Sequence, residues 1–232
     1  MRDYPAVGDS LYVRGRETYL ELLGPENRFG EPAGKCGLGL TVEQPGAIDR
    51  VYRRLSEAYP DGVERSLVDW TSGTDEPIPW YHVVHRKTTE SHPGLDVWFS
   101  EYHPGFFPWL DPHRGPDGLG IARSRFLAPR FRPQRLLDNV TGLTIALPRD
   151  GRLDLIRQLE AIGYRPGRGA EGPATILGPG LEVTLVEPND DRNGITAIEF
   201  DLTRRVPEPI EVRFGPRSRL VIRTDRTASW DL

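Results

Sequence analysis

The stretch Leu136–Tyr164, LLDNVTGLTIALPRDGRLDLIRQLEAIGY, decides the reading of this chain. It reads as a short strand over Gly142–Leu147, a polar turn, and an amphipathic helix that stops at Gly163. Asp150 stands where an N-cap acceptor is wanted, Leu155, Ile156, Leu159 and Ile162 share one helical face, and Gly163 supplies a left-handed stop. An earlier copy runs from Gly37–Val42 through a turn at Gln44-Pro45-Gly46 into a helix ending at Tyr59, with Ile48, Val51, Tyr52 and Leu55 as its apolar stripe. An offset of 105 positions lays Gly37 on Gly142, Leu38 on Leu143, Ile48 on Leu153, Val51 on Ile156 and Tyr59 on Tyr164. A strand–helix unit that recurs in this way points to a duplicated module.

Outward from the two units, the pattern is mostly strand. Ser10–Gly15 and Thr18–Leu23 form a hairpin turning at Arg14–Glu17, and Gly24-Pro25 ends it. Trp80–Lys87, Leu95–His103, Ala174–Leu177, Leu181–Glu187 and Ile195–Leu202 follow as strands, and Glu211–Phe214 with Leu220–Arg223 makes a closing hairpin. Residues 104–135, rich in proline, glycine and arginine, read as a long irregular connection. Few helices among many strands imply an α+β fold. The division expected is 1–110 as a first half lacking its leading strand and helix, 111–135 as a crossover linker, and 136–232 as a second half.

The bulk properties bound the function. A net charge of −4 and a pI near 5.8 give no footprint for nucleic acid or anionic membrane. No apolar run reaches the ~18 residues of a membrane span, and the first ten residues lack the apolar core of a secretory signal. Cys36 is the only cysteine, which excludes an intrachain disulfide and an all-cysteine zinc site and suits a cytoplasmic location.

Several segments resemble the vicinal-oxygen-chelate superfamily, which includes glyoxalases, extradiol dioxygenases and bleomycin-resistance proteins. They are Leu137-Asp138-Asn139-Val140 leading into Gly142–Leu147, the helix end Leu159–Tyr164, and Tyr19-Leu20-Glu21-Leu22-Leu23-Gly24-Pro25, which resembles the last strand of such a module. Leu185–Pro188 and Phe99–Pro104 are weaker echoes. The whole chain is similar to an uncharacterised glyoxalase-like group through Tyr19–Leu22, Asp96–Tyr102 and the ending Phe214-Gly215…Ser218-Arg219-Leu220. The resemblance implies paired strand–helix–three-strand modules whose mixed sheets curl into a cup around a small ligand. It implies a metal-ligating histidine where this chain has Asn139, and an asparagine amide is a poor substitute for imidazole at a transition metal.

Candidate chemistry follows from the polar residues on the strands. His82 and His85 lie three apart in one strand and so point to opposite faces, while Glu101 and His103, two apart, share a face. His92 and His113 complete the histidines. Glu21 stands where the related folds carry a carboxylate ligand, and burial of its strand would raise its pKa for proton transfer. The catalytic candidates are therefore Glu21, Glu101 and His103, and these are also the ligands if a divalent metal binds; the preferred reading has no cofactor. Val97, Phe99, Glu101 and His103 are the set expected to face the cup. Tyr19, Trp80, His82, Trp98, Phe99 and Asn139 are the expected ligand-binding residues, since aromatic concavities with a few polar anchors suit small molecules.

Other apparent motifs fail on context. Gly167–Gly172 matches a dinucleotide glycine pattern but follows a helix and precedes a strand, the wrong order for a phosphate site. The arginines between Arg123 and Arg135 read as a solvated crossover. The expectation is a small-molecule-binding glyoxalase-like protein. One alternative is a metal-dependent or acid–base lyase, isomerase or dioxygenase using Glu21. Another is a structural or dimerising module with a filled cavity, and open module edges allow a homodimer.

Overall fold

The computed structural model describes residues 10–27, 30–71, 76–87, 94–110, 121–167, 173–189 and 192–232. In chain order the described elements begin with β1 (Ser10–Arg14), β2 (Tyr19–Leu23), β3 (Cys36–Thr41), α1 (Ala47–Ala58), β4 (Val63–Trp70), β5 (Ile78–Arg86) and β6 (Leu95–Tyr102). Next come α2 (Phe106–Leu110), α3 (Arg123–Leu127), β7 (Leu137–Ala146), α4 (Arg149–Ala161), β8 (Arg165–Pro166), β9 (Ala174–Gly178) and β10 (Leu181–Val186). The chain closes with β11 (Gly194–Leu202), β12 (Ile210–Arg213), β13 (Arg219–Ile222) and β14 (Thr227–Asp231). Strands dominate over few helices, the α+β arrangement expected. Among the described residues no helix is long and apolar enough to cross a membrane.

Two compact units divide the chain. The larger holds residues 1–36, 91–95 and 130–232, and the smaller holds 37–90 and 96–129. The N-terminal hairpin thus groups with the C-terminal residues, unlike the 1–110 half drawn from the sequence. The expected linker 111–135 contains α3, and its residues 111–120 lie outside those described.

The smaller unit is built on a four-stranded sheet of order β3-β6-β5-β4. The Cys36 N–H bonds the Gly94 carbonyl and the Val42 N–H bonds the Ser100 carbonyl. Both bonds span the same sequence separation, so β3 and β6 run parallel. α1 carries the chain back across the sheet between β3 and β4, which is what a parallel pairing requires. Its buried stripe is Ala47, Ile48, Val51 and Leu55, while Tyr52 is exposed.

In the larger unit, β7, α4, β8, β9 and β10 repeat that layout as order β7-β10-β9-β8, with β10 parallel to β7. Both modules place their strands in the sequence first, last, third, second. The offset of 105 holds in the strands, where Leu38 and Leu40 are buried like Leu143 and Ile145. It fails in the helices: Ile48 is buried but its expected counterpart Leu153 is 46% exposed. Gly151, Leu155 and Leu159 are the buried residues that match Ala47, Val51 and Leu55, one position out of step. Asp150 lies in the first turn of α4 rather than at its N-cap, which is Pro148. Gly163 does take the left-handed conformation, at φ 92°.

The same strand order appears a third time, as β11-β14-β13-β12, joined to the module through antiparallel pairing of β11 with β7. Between β11 and β12 there is no helix, only residues 203–209. Without that return crossing, β14 meets β11 antiparallel rather than parallel. β1 and β2 form their own two-stranded sheet. Its turn is seated on the start of β7: Arg16 N–H bonds the Asp138 carbonyl at 2.7 Å, the Arg16 side chain pairs with Asp138 at 3.1 Å, and its guanidinium lies 4.7 Å from the Phe131 ring.

Candidate functional site

Alternation along β6 sorts the candidates of the smaller unit onto two faces. Leu95, Val97, Phe99 and Glu101 are buried, and Asp96, Trp98 and Ser100 are partly exposed. Val84 pairs with Phe99 and is equally buried, and Leu38 and Leu40 are the buried positions of β3. This is the face covered by α1. The set Val97, Phe99, Glu101 and His103, expected to look into an open cup, therefore starts from the helix-covered side. Phe99 has 0% exposure and is core, so it is not open to a ligand as the sequence reading had it.

Glu101, 4% exposed, has a defined task. Its Oε1 accepts the Gly46 N–H at 2.9 Å and its Oε2 accepts the Ile48 N–H at 2.8 Å. The first amides of a helix lack intrahelical acceptors, and Gly46, with φ 77°, has no side chain to cap them. A carboxylate from β6 meets both the unpaired donors and the positive end of the helix. Glu101 is thus a cap that α1 borrows from another element.

His82 stands directly across the strand pair from Glu101, and its ring centroid is 5.8 Å from that of His103. His103 Nδ1 accepts the Gly105 N–H at 3.2 Å, which leaves the proton of the neutral ring on Nε2. Burial, then the Arg65 charge and His103, lower the His82 pKa, against the opposing pull of Glu101 and Asp49. Arg65 is held by Asp49 of α1 at 2.6 Å. Three of the sequence candidates are thus brought together beside the start of α1.

The opposite face of the sheet carries Trp98, Ser100 and Tyr102, and at its Tyr102 end it packs on Phe106 and Phe107 of α2 and Phe126 of α3. Here the Trp98 indole lies across Gly37 and Gly39, and a Cβ built on either glycine would come within 2.8 Å and 2.7 Å of the ring. Only glycine at both positions lets the ring rest flat against the β3 backbone. The Thr41 and Ser100 hydroxyls meet at 3.1 Å on this face, and Val83 pairs with Ser100. His85 pairs with Trp98, donates from Nδ1 to the Arg86 carbonyl at 3.0 Å, and places Nε2 3.7 Å from Glu64. His82 and His85 do point to opposite sides, as their spacing requires. An aromatic plate thus lies beside two hydroxyls, an imidazole and a carboxylate.

Trp80 belongs elsewhere. It packs on the aromatic core of Tyr102, Phe106, Phe107 and Phe126, with ring centroids 5.9 Å from Phe106 and 6.0 Å from Phe126. Its Nε1 is buried without a hydrogen-bond partner.

The remaining candidates sit in the larger unit. Glu21 is exposed on β2 rather than buried with its strand, and accepts the Tyr12 hydroxyl at 2.6 Å. Burial first, then that bond and the Glu21 charge, drive the Tyr12 phenol upward. Tyr19 is 45% exposed, 6.0 Å from the Tyr12 ring. Asn139 Oδ1 accepts the Glu17 N–H at 2.9 Å and faces the Thr18 hydroxyl at 3.4 Å, while the Val140 N–H bonds Thr18 Oγ1 at 2.7 Å. Asn139 therefore clamps the β1–β2 turn through its amide oxygen.

Among the described residues no group of three or more histidine, cysteine, aspartate or glutamate side chains is placed to hold a metal ion. Glu21 belongs to the larger unit and Glu101 and His103 to the smaller. His92, His113 and residues 168–172 of the glycine pattern lie outside the described residues. Gly37, Gly39, Thr41 and Ser100 were absent from the sequence candidates. Their signal was the spacing Gly37-x-Gly39-x-Thr41 opposite Trp98-x-Ser100, visible only once β3 is known to lie beside β6.

Residues 7–232 match a family of unknown function, DUF5829, so the chain belongs to that family. Comparison with curated proteins and with solved structures gives no match.

Proposed function

We propose that this DUF5829 member binds a small planar or amphipathic molecule on the Trp98 face of the 37–129 sheet, in modules of the glyoxalase-like, vicinal-oxygen-chelate type. The observation that carries the reading is Trp98, laid on Gly37 and Gly39 and partly exposed. A glycine pair conserves the flat approach of a ring large enough to bury a ligand's apolar surface, and Thr41, Ser100, His85 and Glu64 supply directional anchors. The strand order shared by β3–β6 and β7–β10 supports the superfamily resemblance. In this reading the sheets curve toward the guest, binding needs no cofactor, and Glu101 serves the fold.

The test is metabolite co-purification read by native mass spectrometry, on the wild type, Trp98→Ala and Gly39→Val. The expected result is a small molecule retained by the wild type and lost about tenfold or more in both variants, the factor equivalent to ~1.4 kcal/mol. A compound retained equally by all three, or none enriched over a control protein, ends this reading.

A second reading rests on the neighbouring imidazoles. His82, with its pKa lowered and hence neutral, would act as general base beside His103, moving acid–base chemistry from Glu21 to the start of α1. It is favoured if a reaction is found whose rate falls at least 100-fold in His82→Gln with folding intact, the low end of a general-base contribution.

A further inference from the structure

β12 is the terminal strand of the eight-stranded sheet, and all four of its residues are exposed. Ile210, Val212 and Phe214 are 39%, 37% and 55% exposed. Register places Val212 in one row with Leu220, Trp230, Ile198 and Leu143, so these apolar side chains lie on the face that is buried at β7. Among the described residues no helix covers that face at β12, because the one that accompanies the first strand of the other two copies is missing here. Glu211 and Arg213 stand on the opposite face, where Glu211 pairs with Arg213 at 2.9 Å and Arg219 at 2.7 Å.

The backbone shows which groups the edge offers. Phe214 N–H donates to the Ser218 carbonyl at 2.9 Å, so positions 210, 212 and 214 bond toward β13. Alternation then turns the N–H and C=O groups of Glu211 and Arg213 outward, to the open edge. We propose that β12 pairs antiparallel with β12 of a second copy of this chain, about a two-fold axis through Val212, to form a homodimer with one continuous sheet. In that register Glu211 faces Arg213 of the partner subunit, and their outward backbone groups bond reciprocally, each bond made twice by symmetry. Ile210 faces Phe214 of the partner subunit and Val212 faces its own copy. Centring the axis on Glu211 or Arg213 would oppose like charges, which is destabilising. Centring it between residues would match an outward amide with an inward one. One register therefore satisfies charge, apolar contact and hydrogen bonding together, as an isologous interface demands.

Sedimentation velocity and light scattering test this on the full chain. The wild type is expected at twice 26.1 kDa. Arg213→Glu alone and Glu211→Arg alone are each expected as monomers, and their mixture as a heterodimer, because the mixture restores both opposite-charge contacts. Arg213→Pro removes an outward N–H that the monomer does not use, and is expected as a folded monomer by circular dichroism. It decides the matter if Glu211→Arg, which also loses Arg219, fails to fold. A monomeric wild type, a dimer indifferent to Arg213→Glu and Arg213→Pro, or folded charge variants that do not associate when mixed would overturn the proposal.

Discussion

Glu101 bonds two amides that nothing in the helix itself can satisfy, and it is buried. Glu101→Ala strands both donors and is expected to lower the unfolding free energy by roughly 2–3 kcal/mol, read from urea denaturation. Glu101→Gln keeps one acceptor oxygen and is expected to lose less; equal stability of all three proteins would refute the capping role. His82 gives a pH signature. Its folded pKa lies below the unfolded 6.5, so the unfolded state binds the proton first as the solution is acidified. Its contribution to stability is complete above 6.5 and is lost as pH falls through the folded value. Denaturation midpoints from about pH 7 to 5 should decline less steeply in His82→Asn than in the wild type. Residue types alone pointed to Glu21, Glu101 and His103 as catalytic candidates and to His82 as a ligand-binding one. Their roles were hidden because a cap on a distant helix depends on where the chain folds, not on neighbouring letters.

The elements make their own predictions. A methyl at Gly39 would meet the indole of Trp98, so Gly39→Ala is expected to keep the fold with the ring displaced. It should also change near-ultraviolet circular dichroism and tryptophan emission; spectra identical to the wild type would contradict the packing described. Asn139→Ala removes the acceptor for the Glu17 amide and should loosen the β1–β2 turn, costing about 1 kcal/mol and exposing that turn to limited proteolysis. Strand pairs bounded by glycine and proline were legible, and the hairpin, β9 and β10 lie within a residue of their expected ends. β4 was missed because VERSLVDW carries charges on an edge strand exposed along much of its length, which blurs alternation. α3 was hidden among prolines and arginines, where local composition signals a loop and the burial of Phe126 and Leu127 decides otherwise. The helix offset slipped by one because Leu153 looks like core, although Gly151 and Asp154 occupy the buried stripe.

At the scale of the whole molecule, the duplication was readable from one strand–helix pattern, and the strand order of both copies agrees with it. The third copy could not be read, since losing its helix removed the periodic signal that identified the other two and reversed the polarity of its last strand. The grouping of the N-terminal hairpin with β7 was equally invisible, because Gly15, Arg16 and Thr18 reach their partners Asp138, Asn139 and Val140 only after more than half the chain has passed. Gly15 fits beneath the Asp138 carbonyl only without a Cβ, so Gly15→Val is expected to unseat the hairpin and lower the thermal midpoint by several degrees, about 2–4 °C per 1 kcal/mol for a chain of this size.

That seating has a temporal side. On the ribosome the hairpin emerges before its dock, with the 37–90 and 96–129 segments made in between. Until Asp138 and Asn139 leave the exit tunnel, the opening strands have exposed apolar residues and no surface to rest on, a window in which chaperones or misplaced strand partners compete for them.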